Sequence, residues 1–271
     1  KQLKTLSPDA IVTTSDMGGI MNRMCNMWAE RNNLPFIVVQ PSFIDIDRVR
    51  NTFKEQLLYL LFNRILDIPL CTRQKIFGNE RPKNYLFLWG EYFRNYYRGL
   101  EIEKNIHITG NPTFDPILKN EFDKTELDDL GLVLEGRPII TICTELVDEI
   151  LGKENVREIN HFYRFAIREN PDLHFVIKVH PREDSEKYEK IFHDLDKSNH
   201  TIVRNIDLHS LFRVTDVQVS VASYSSFEAI VFGIPVVLVN PGNRISFTDH
   251  FDNKIELRAT AEEELSGHIR R

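Results

Sequence analysis

At 271 residues the chain has room for two α/β units of ordinary size, and its 42% hydrophobic and 27% charged residues suit a water-soluble globular fold. A net charge of −6 opposes non-specific nucleic-acid binding, which needs Lys and Arg to neutralise phosphates. No apolar run approaches the ~20 residues that span a bilayer, and Cys25, Cys71 and Cys143 are too scattered for a disulfide framework or a paired-cysteine metal site, so a reducing cytoplasm is the expected setting.

In chain order, Ala10 to Thr14 reads as a buried strand, and Ser15-Asp16-Met17-Gly18-Gly19 as the loop leaving it. From Ile20 to Asn32 apolar residues recur at helical spacing, and Asn32-Asn33 ends that helix. Pro35 to Gln40 is the next strand, giving a β-α-β unit with a right-handed crossover. Lys54 to Leu66 carries an apolar stripe of Leu57, Leu58, Leu61 and Ile65 and predicts a helix. Tyr85 to Trp89 is a strand and Gly90 to Tyr97 a short helix, after which Ile106 to Pro112 leads into a charged stretch. The domain boundary is placed at residue 115, giving units 1–115 and 116–271. The first has only about three strands, short of the ~5–6 of a nucleotide-binding unit, so an N-terminal portion is expected to be missing from this sequence, the alternative being a small, atypical first domain.

The second half repeats the alternation. Strands are expected at Pro138 to Cys143, Phe175 to Val179, Thr201 to Val203, Val217 to Val221 and Val236 to Val239. Helices are expected at Asn155 to Glu169, Ser185 to Leu195, Leu208 to Phe212 and Ser226 to Phe232. Such alternation predicts a mostly parallel sheet covered on both faces.

In an open parallel sheet, ligands bind outside the carboxyl ends of the strands. Two strand ends there carry suggestive chemistry. After Val179 come His180, Pro181 and Arg182; an imidazole, charged or neutral, can donate to phosphate, and Arg can do so bidentately. After Val221 come Ser223, Ser225 and Ser226 where a helix begins, and helix-start N–H groups favour anions. Serines also cap helices for the same geometric reason, so they do not decide alone. Glu228 could accept hydrogen bonds from ribose hydroxyls; the plainer reading is a first-turn Glu that complements the helix dipole. Asp16 follows the first strand and could act as general base, or simply cap the next helix. Gly18-Gly19 is a weak phosphate-loop signal, and Asp45-Ile46-Asp47 fits a solvated loop better than a metal site. His107, His161, His174, His209 and His250 lack metal-ligand spacing and read as structural or exposed.

These segments resemble a known pattern. Pro8-Asp9-Ala10-Ile11-Val12 through Leu34 to Gln40, then Thr109-Gly110-Asn111-Pro112 with Asp115, Glu154-Asn155, Val179-His180 and Ser223 to Pro235, follow the order seen in UDP-N-acetylglucosamine 2-epimerases and related GT-B proteins. The resemblance implies two Rossmann-like domains facing across a cleft, with the nucleotide held mainly by the second. Asp16 matches the strand-end Asp of the epimerases. Their catalytic Glu falls at Gln40-Pro41-Ser42, however, and a further acidic residue at Leu60-Leu61-Phe62 before Asn63-Arg64. Gln and Leu cannot abstract a proton, so epimerisation is the weaker reading.

The His-Pro and Ser-Ser pair is similar to bacterial capsule and surface-polysaccharide glycosyltransferases, including types that use CMP-sugars. The resemblance implies that His180, Ser225 and Ser226 hold the donor phosphates. CDP-glycerol-type polyol-phosphate transferases share a similar Ser-rich segment.

The expectation is an α/β, GT-B-like transferase that moves a sugar from a nucleotide-sugar donor to a glycan or glycolipid acceptor. Asp16 would be its base; His180, Arg182, Ser223, Ser225, Ser226 and Glu228 its nucleotide site; no cofactor or metal is expected. A cytoplasmic location reaching to peripheral association at the inner membrane face is expected, with no nucleic-acid partner. The alternatives are a sugar-nucleotide epimerase and a non-catalytic sugar-nucleotide-binding subunit.

Overall fold

The computed structural model describes residues 5–14, 20–40, 57–58, 60–66, 83–99, 105–119, 136–145, 147–221, 223–243 and 256–271. The chain divides into two compact units, Lys1–Pro112 and Thr113–Arg271.

The first unit is a four-stranded parallel sheet of β1 (Ile11–Thr13), β2 (Phe36–Val39), β3 (Asn84–Leu88) and β4 (Ile106–Ile108), in that order. Helix α1 (Ile20–Arg31) crosses from β1 to β2, and α2 (Glu91–Gly99) follows β3. Ala29, Phe36, Val38, Leu86, Leu88 and Phe93 form the core, which is the inward set of two alternating strands closed by one residue from each helix. The fourth strand is an addition to the expected three. Ile106-His107-Ile108 is short and half-exposed, so it lacks the apolar run that marks a buried strand. Leu60–Ile65 is π-helical where an α-helix was expected.

The second unit is a six-stranded parallel sheet. Its strands are β5 (Ile139–Cys143), β6 (His174–Lys178), β7 (His200–Val203), β8 (Val217–Ser220), β9 (Val236–Val239) and β10 (Glu256–Ala259). Among the helices, α3 (Asp115–Lys119) precedes the sheet, while α4 (Val147–Glu169), α5 (Ser185–Ile191), α6 (Leu208–Phe212) and α7 (Ser225–Val231) make the crossovers. Helix α8 (Glu262–His268) follows β10 and packs on α4. Strands β5 and β9 are buried at every residue, because helices cover both faces of the sheet.

The chain builds outward from β5 through β6 to β7, then returns to the other side of β5 to lay down β8, β9 and β10. In open parallel sheets, ligands bind at the carboxyl edge of such a reversal, here the one between β5 and β8. Strand β10 and α8 were not expected from the sequence. Glu256-Leu257-Arg258-Ala259 is an edge strand with alternating polar residues, and it follows no apolar run.

Candidate functional site

Three loops leave the carboxyl ends of β6, β5 and β8, adjacent strands at the sheet reversal. The β5 loop joins the other two. Thr144 Oγ1 accepts the backbone N–H of His180 at 2.9 Å, and Glu145 Oε1 accepts that of Val221 at 3.1 Å. The basic turn after β6 and the serine turn after β8 are therefore both fastened to one dipeptide.

The β6 turn has a defined proton arrangement. The backbone N–H of Arg182 donates to His180 Nδ1 at 3.1 Å. A nitrogen that accepts cannot carry the proton, so neutral His180 holds its hydrogen on Nε2. Burial, with the nearby Arg182 and Lys178 cations, lowers the His180 pKa below its ordinary value. At neutral pH the ring is thus an N–H donor without positive charge. The cation at this turn belongs to Arg182, which is exposed. Lys178, one strand-face position earlier, is buried and gives its ammonium to the carbonyls of Arg204 and Val179, at 2.7 and 3.4 Å; burial lowers its pKa too.

The β8 turn corrects part of the expectation. Ser226 is fully buried, with its hydroxyl 2.7 Å from that of Ser220 and 3.4 Å from Gln218 Oε1. Ser225 is 6% exposed and its hydroxyl accepts from Gln218 Nε2 at 3.4 Å. Both hydroxyls point beneath α7 into the sheet, because positions 225 and 226 lie on the helix face that packs on β8. Ser223 is different. It stands at the turn, half-buried, and its hydroxyl oxygen accepts the N–H of Ser225 at 3.3 Å. That bond uses a lone pair and leaves the O–H hydrogen to donate. Of the three serines, Ser223 presents a hydroxyl at the turn.

Tyr224, between them, stacks on Phe114 with ring centroids 6.5 Å apart and planes 9° apart, and its hydroxyl lies 3.2 Å from that of Thr113. At the far end of α7, Gly233 takes φ +78°, and Ile234 N donates to Ala229 O while Gly233 N donates to Ile230 O. This left-handed cap turns the chain back into β9.

Glu228, in the first turn of α7, pairs with His209 of α6: Oε1 lies 2.9 Å from His209 Nε2, with both side chains mostly buried. The Glu228 hydrogen bond raises the pKa of His209, whose ring also leans on Phe232. His209 is thus a structural histidine, as its sequence context suggested, and its partner is the Glu228 carboxylate. Spacing along one helix could not reveal a pair formed across two.

Residues 151–240 match the family model described as capsule polysaccharide biosynthesis protein. Comparison with curated protein sequences gives no match. Among solved structures, the chain is similar to UDP-GlcNAc 2-epimerase from Methanocaldococcus jannaschii, with TM-score 0.66 and 17% identity over 100% of this chain and 71% of that one. UDP-GlcNAc 2-epimerase from Neisseria meningitidis, solved with UDP-GlcNAc bound, gives TM-score 0.67 and 12% identity over 99% and 69% of the two chains. The wall teichoic acid polymerase TagF gives 0.51 and 16% identity over 89% and 60%.

The chain has a GT-B-type fold.

Within that GT-B framework, Gln40, the first of the Gln40-Pro41-Ser42 set against the epimerase Glu, is a structural tie, while Pro41 and Ser42 lie outside the described residues. Gln40 is 2% exposed; its side-chain oxygen accepts Trp89 N–H at 3.1 Å, and its carbonyl accepts the Trp89 indole N–H at 2.8 Å. Asp16, Gly18, Gly19, Asp45 and Asp47 lie outside the described residues. Among the described residues no group of three His, Cys, Asp or Glu side chains could hold a metal ion, and no helix is long and apolar enough to cross a membrane. The loop that sequence reasoning missed is Thr144-Glu145. It sits immediately after a strand buried at every residue, and the strand-end rule that selected His180 selects it equally.

Proposed function

We propose that this GT-B chain is a glycosyltransferase that moves a sugar from a nucleotide-sugar donor to a glycan or glycolipid acceptor in surface-polysaccharide synthesis. The observation that carries the reading is the pair of turns at the sheet reversal, fastened to Thr144-Glu145, which offers the N–H of neutral His180 and the O–H of Ser223 beside the Arg182 cation. In this reading those donors meet the departing phosphate, in the place a metal takes in other transferases, and no cofactor is assigned. Glu228, held by His209, accepts from the ribose hydroxyls.

The sugar passes by displacement at the anomeric carbon. The bond to the donor phosphate breaks with its electrons going to phosphate oxygen, and the acceptor hydroxyl forms the new bond as a base takes its proton. Asp16 is assigned as that base. The match over residues 151–240 to capsule polysaccharide biosynthesis proteins supports the pathway class.

A thermal-shift panel with UDP, CMP, CDP and GDP, followed by donor–acceptor transfer assays with the responding nucleotide, tests the proposal. A ligand bound by the folded form alone raises its apparent stability. Stabilisation by one nucleotide, lost in Ser223→Ala and His180→Ala, is expected; absence of any response removes the nucleotide site.

Epimerisation is the second reading, favoured by the likeness to UDP-GlcNAc 2-epimerases across nearly the whole chain. Gln40, neutral and engaged with Trp89, opposes it, because no carboxylate stands there to abstract a proton. Formation of the manno epimer from UDP-GlcNAc would decide for it. Nucleotide binding with neither transfer nor epimerisation would point instead to a non-catalytic subunit.

A further inference from the structure

A buried carboxylate lies under the β6 turn without a part in the chemistry assigned so far. Glu183 is 7% exposed. Its Oε2 accepts the Thr144 hydroxyl at 2.7 Å, Tyr188 OH lies 3.0 Å from both of its oxygens, and Lys187 Nζ lies 3.2 Å from Oε1. Its own N–H donates to the carbonyl of His180 at 2.9 Å, closing the turn. Thr144 gives its hydroxyl hydrogen to Glu183, and this aims an oxygen lone pair at the His180 N–H. The chain His180 N–H to Thr144 O–H to Glu183 carboxylate is thus continuous and directed one way, and each bond polarises the next.

From this arrangement we infer that Glu183 is a positioning residue for His180. Acting through Thr144 and the closed turn, it holds the imidazole with Nδ1 on the Arg182 N–H and the Nε2 hydrogen outward. The inference rests on the proposed role of His180 at the donor phosphate, where a donor must stand ready before the ligand arrives. A carboxylate suits this task, since it only accepts: Thr144 and Tyr188 must both donate to it, so neither hydroxyl can reverse. Glutamine in its place carries an NH2 group that can point at Thr144 and turn its hydroxyl round.

Nitrogen-15 spectra of the full chain labelled at histidine read the His180 tautomer directly, with His174 and His200 as internal checks on the sheet. Glu183→Gln and Thr144→Val are expected to convert a single Nε2–H form into a mixture of tautomers, and to weaken binding of the responding nucleotide about tenfold or more. Thr144→Ser, which keeps the hydroxyl, is expected to restore both. If Glu183→Gln does not fold, the Val and Ser variants at 144 carry the comparison. A wild-type His180 tautomer in Thr144→Val or in a folded Glu183→Gln would overturn the inference. If the wild type binds none of the nucleotides, the donor-site reading fails, while the tautomer comparison still decides the role of Glu183.

Discussion

Two histidines at the candidate site titrate in opposite senses, and that opposition is measurable. His209 is raised by its bond to Glu228, so the pair stabilises the fold fully below the ordinary histidine value of about 6.5 and loses that contribution as pH rises through the higher folded value. His180 is lowered, so its contribution is present above about 6.5 and is lost as pH falls toward the lower folded value. Denaturant melts across that range should therefore show His209→Asn costing more on the acid side, roughly 1.5–3 kcal/mol for a hydrogen bond to a charged group. The same melts should show His180→Asn narrowing the stability lost on acidification. Neither direction could be read from the sequence. His180 was visible as a strand-end donor, whereas its lowering comes first from burial and then from the Arg182 and Lys178 cations, and the partner of Glu228 lies on a different helix.

At the scale of the element, α7 separates two roles that its serines share in sequence. Ser226→Val leaves the Ser220 hydroxyl and Gln218 amide short of a buried partner, and should cost about 1–3 kcal/mol in chemical denaturation while any nucleotide affinity persists. Ser223→Ala removes one turn hydrogen bond, worth about 1 kcal/mol, and should abolish the nucleotide-induced thermal shift. Equal effects of the two substitutions on binding would contradict this division. Gly233→Ala places a Cβ at φ +78°, and a melt should show a loss of about 1–2 kcal/mol. The helix itself was legible because Ser-Ser-Phe-Glu-Ala-Ile-Val between two apolar strands has no other reading. Which hydroxyl faces the turn was not, since that depends on the rotation of a two-turn helix on its sheet.

For the whole molecule, alternation of apolar runs with helical stretches was enough to give two parallel α/β units, most plainly in the second, whose central strands are buried on both faces and so nearly all apolar. Strands β4 and β10, short or polar at the sheet margins, carried no such signal. Strand order was equally hidden: nothing local in Val217 to Ser220 says that it lies beside β5 rather than β7, yet that placement brings its loop next to those of β5 and β6. One further consequence comes from the ring stack of Tyr224 on Phe114. Phe114 lies two residues past the end of the first compact unit, in the peptide that enters the second. A ligand that grips Ser223 also steadies the neighbouring Tyr224, and through it the entering strand of polypeptide. Occupancy should thus be felt by proteases as slower cleavage around Pro112, and Phe114→Ala should uncouple that protection from ligand concentration.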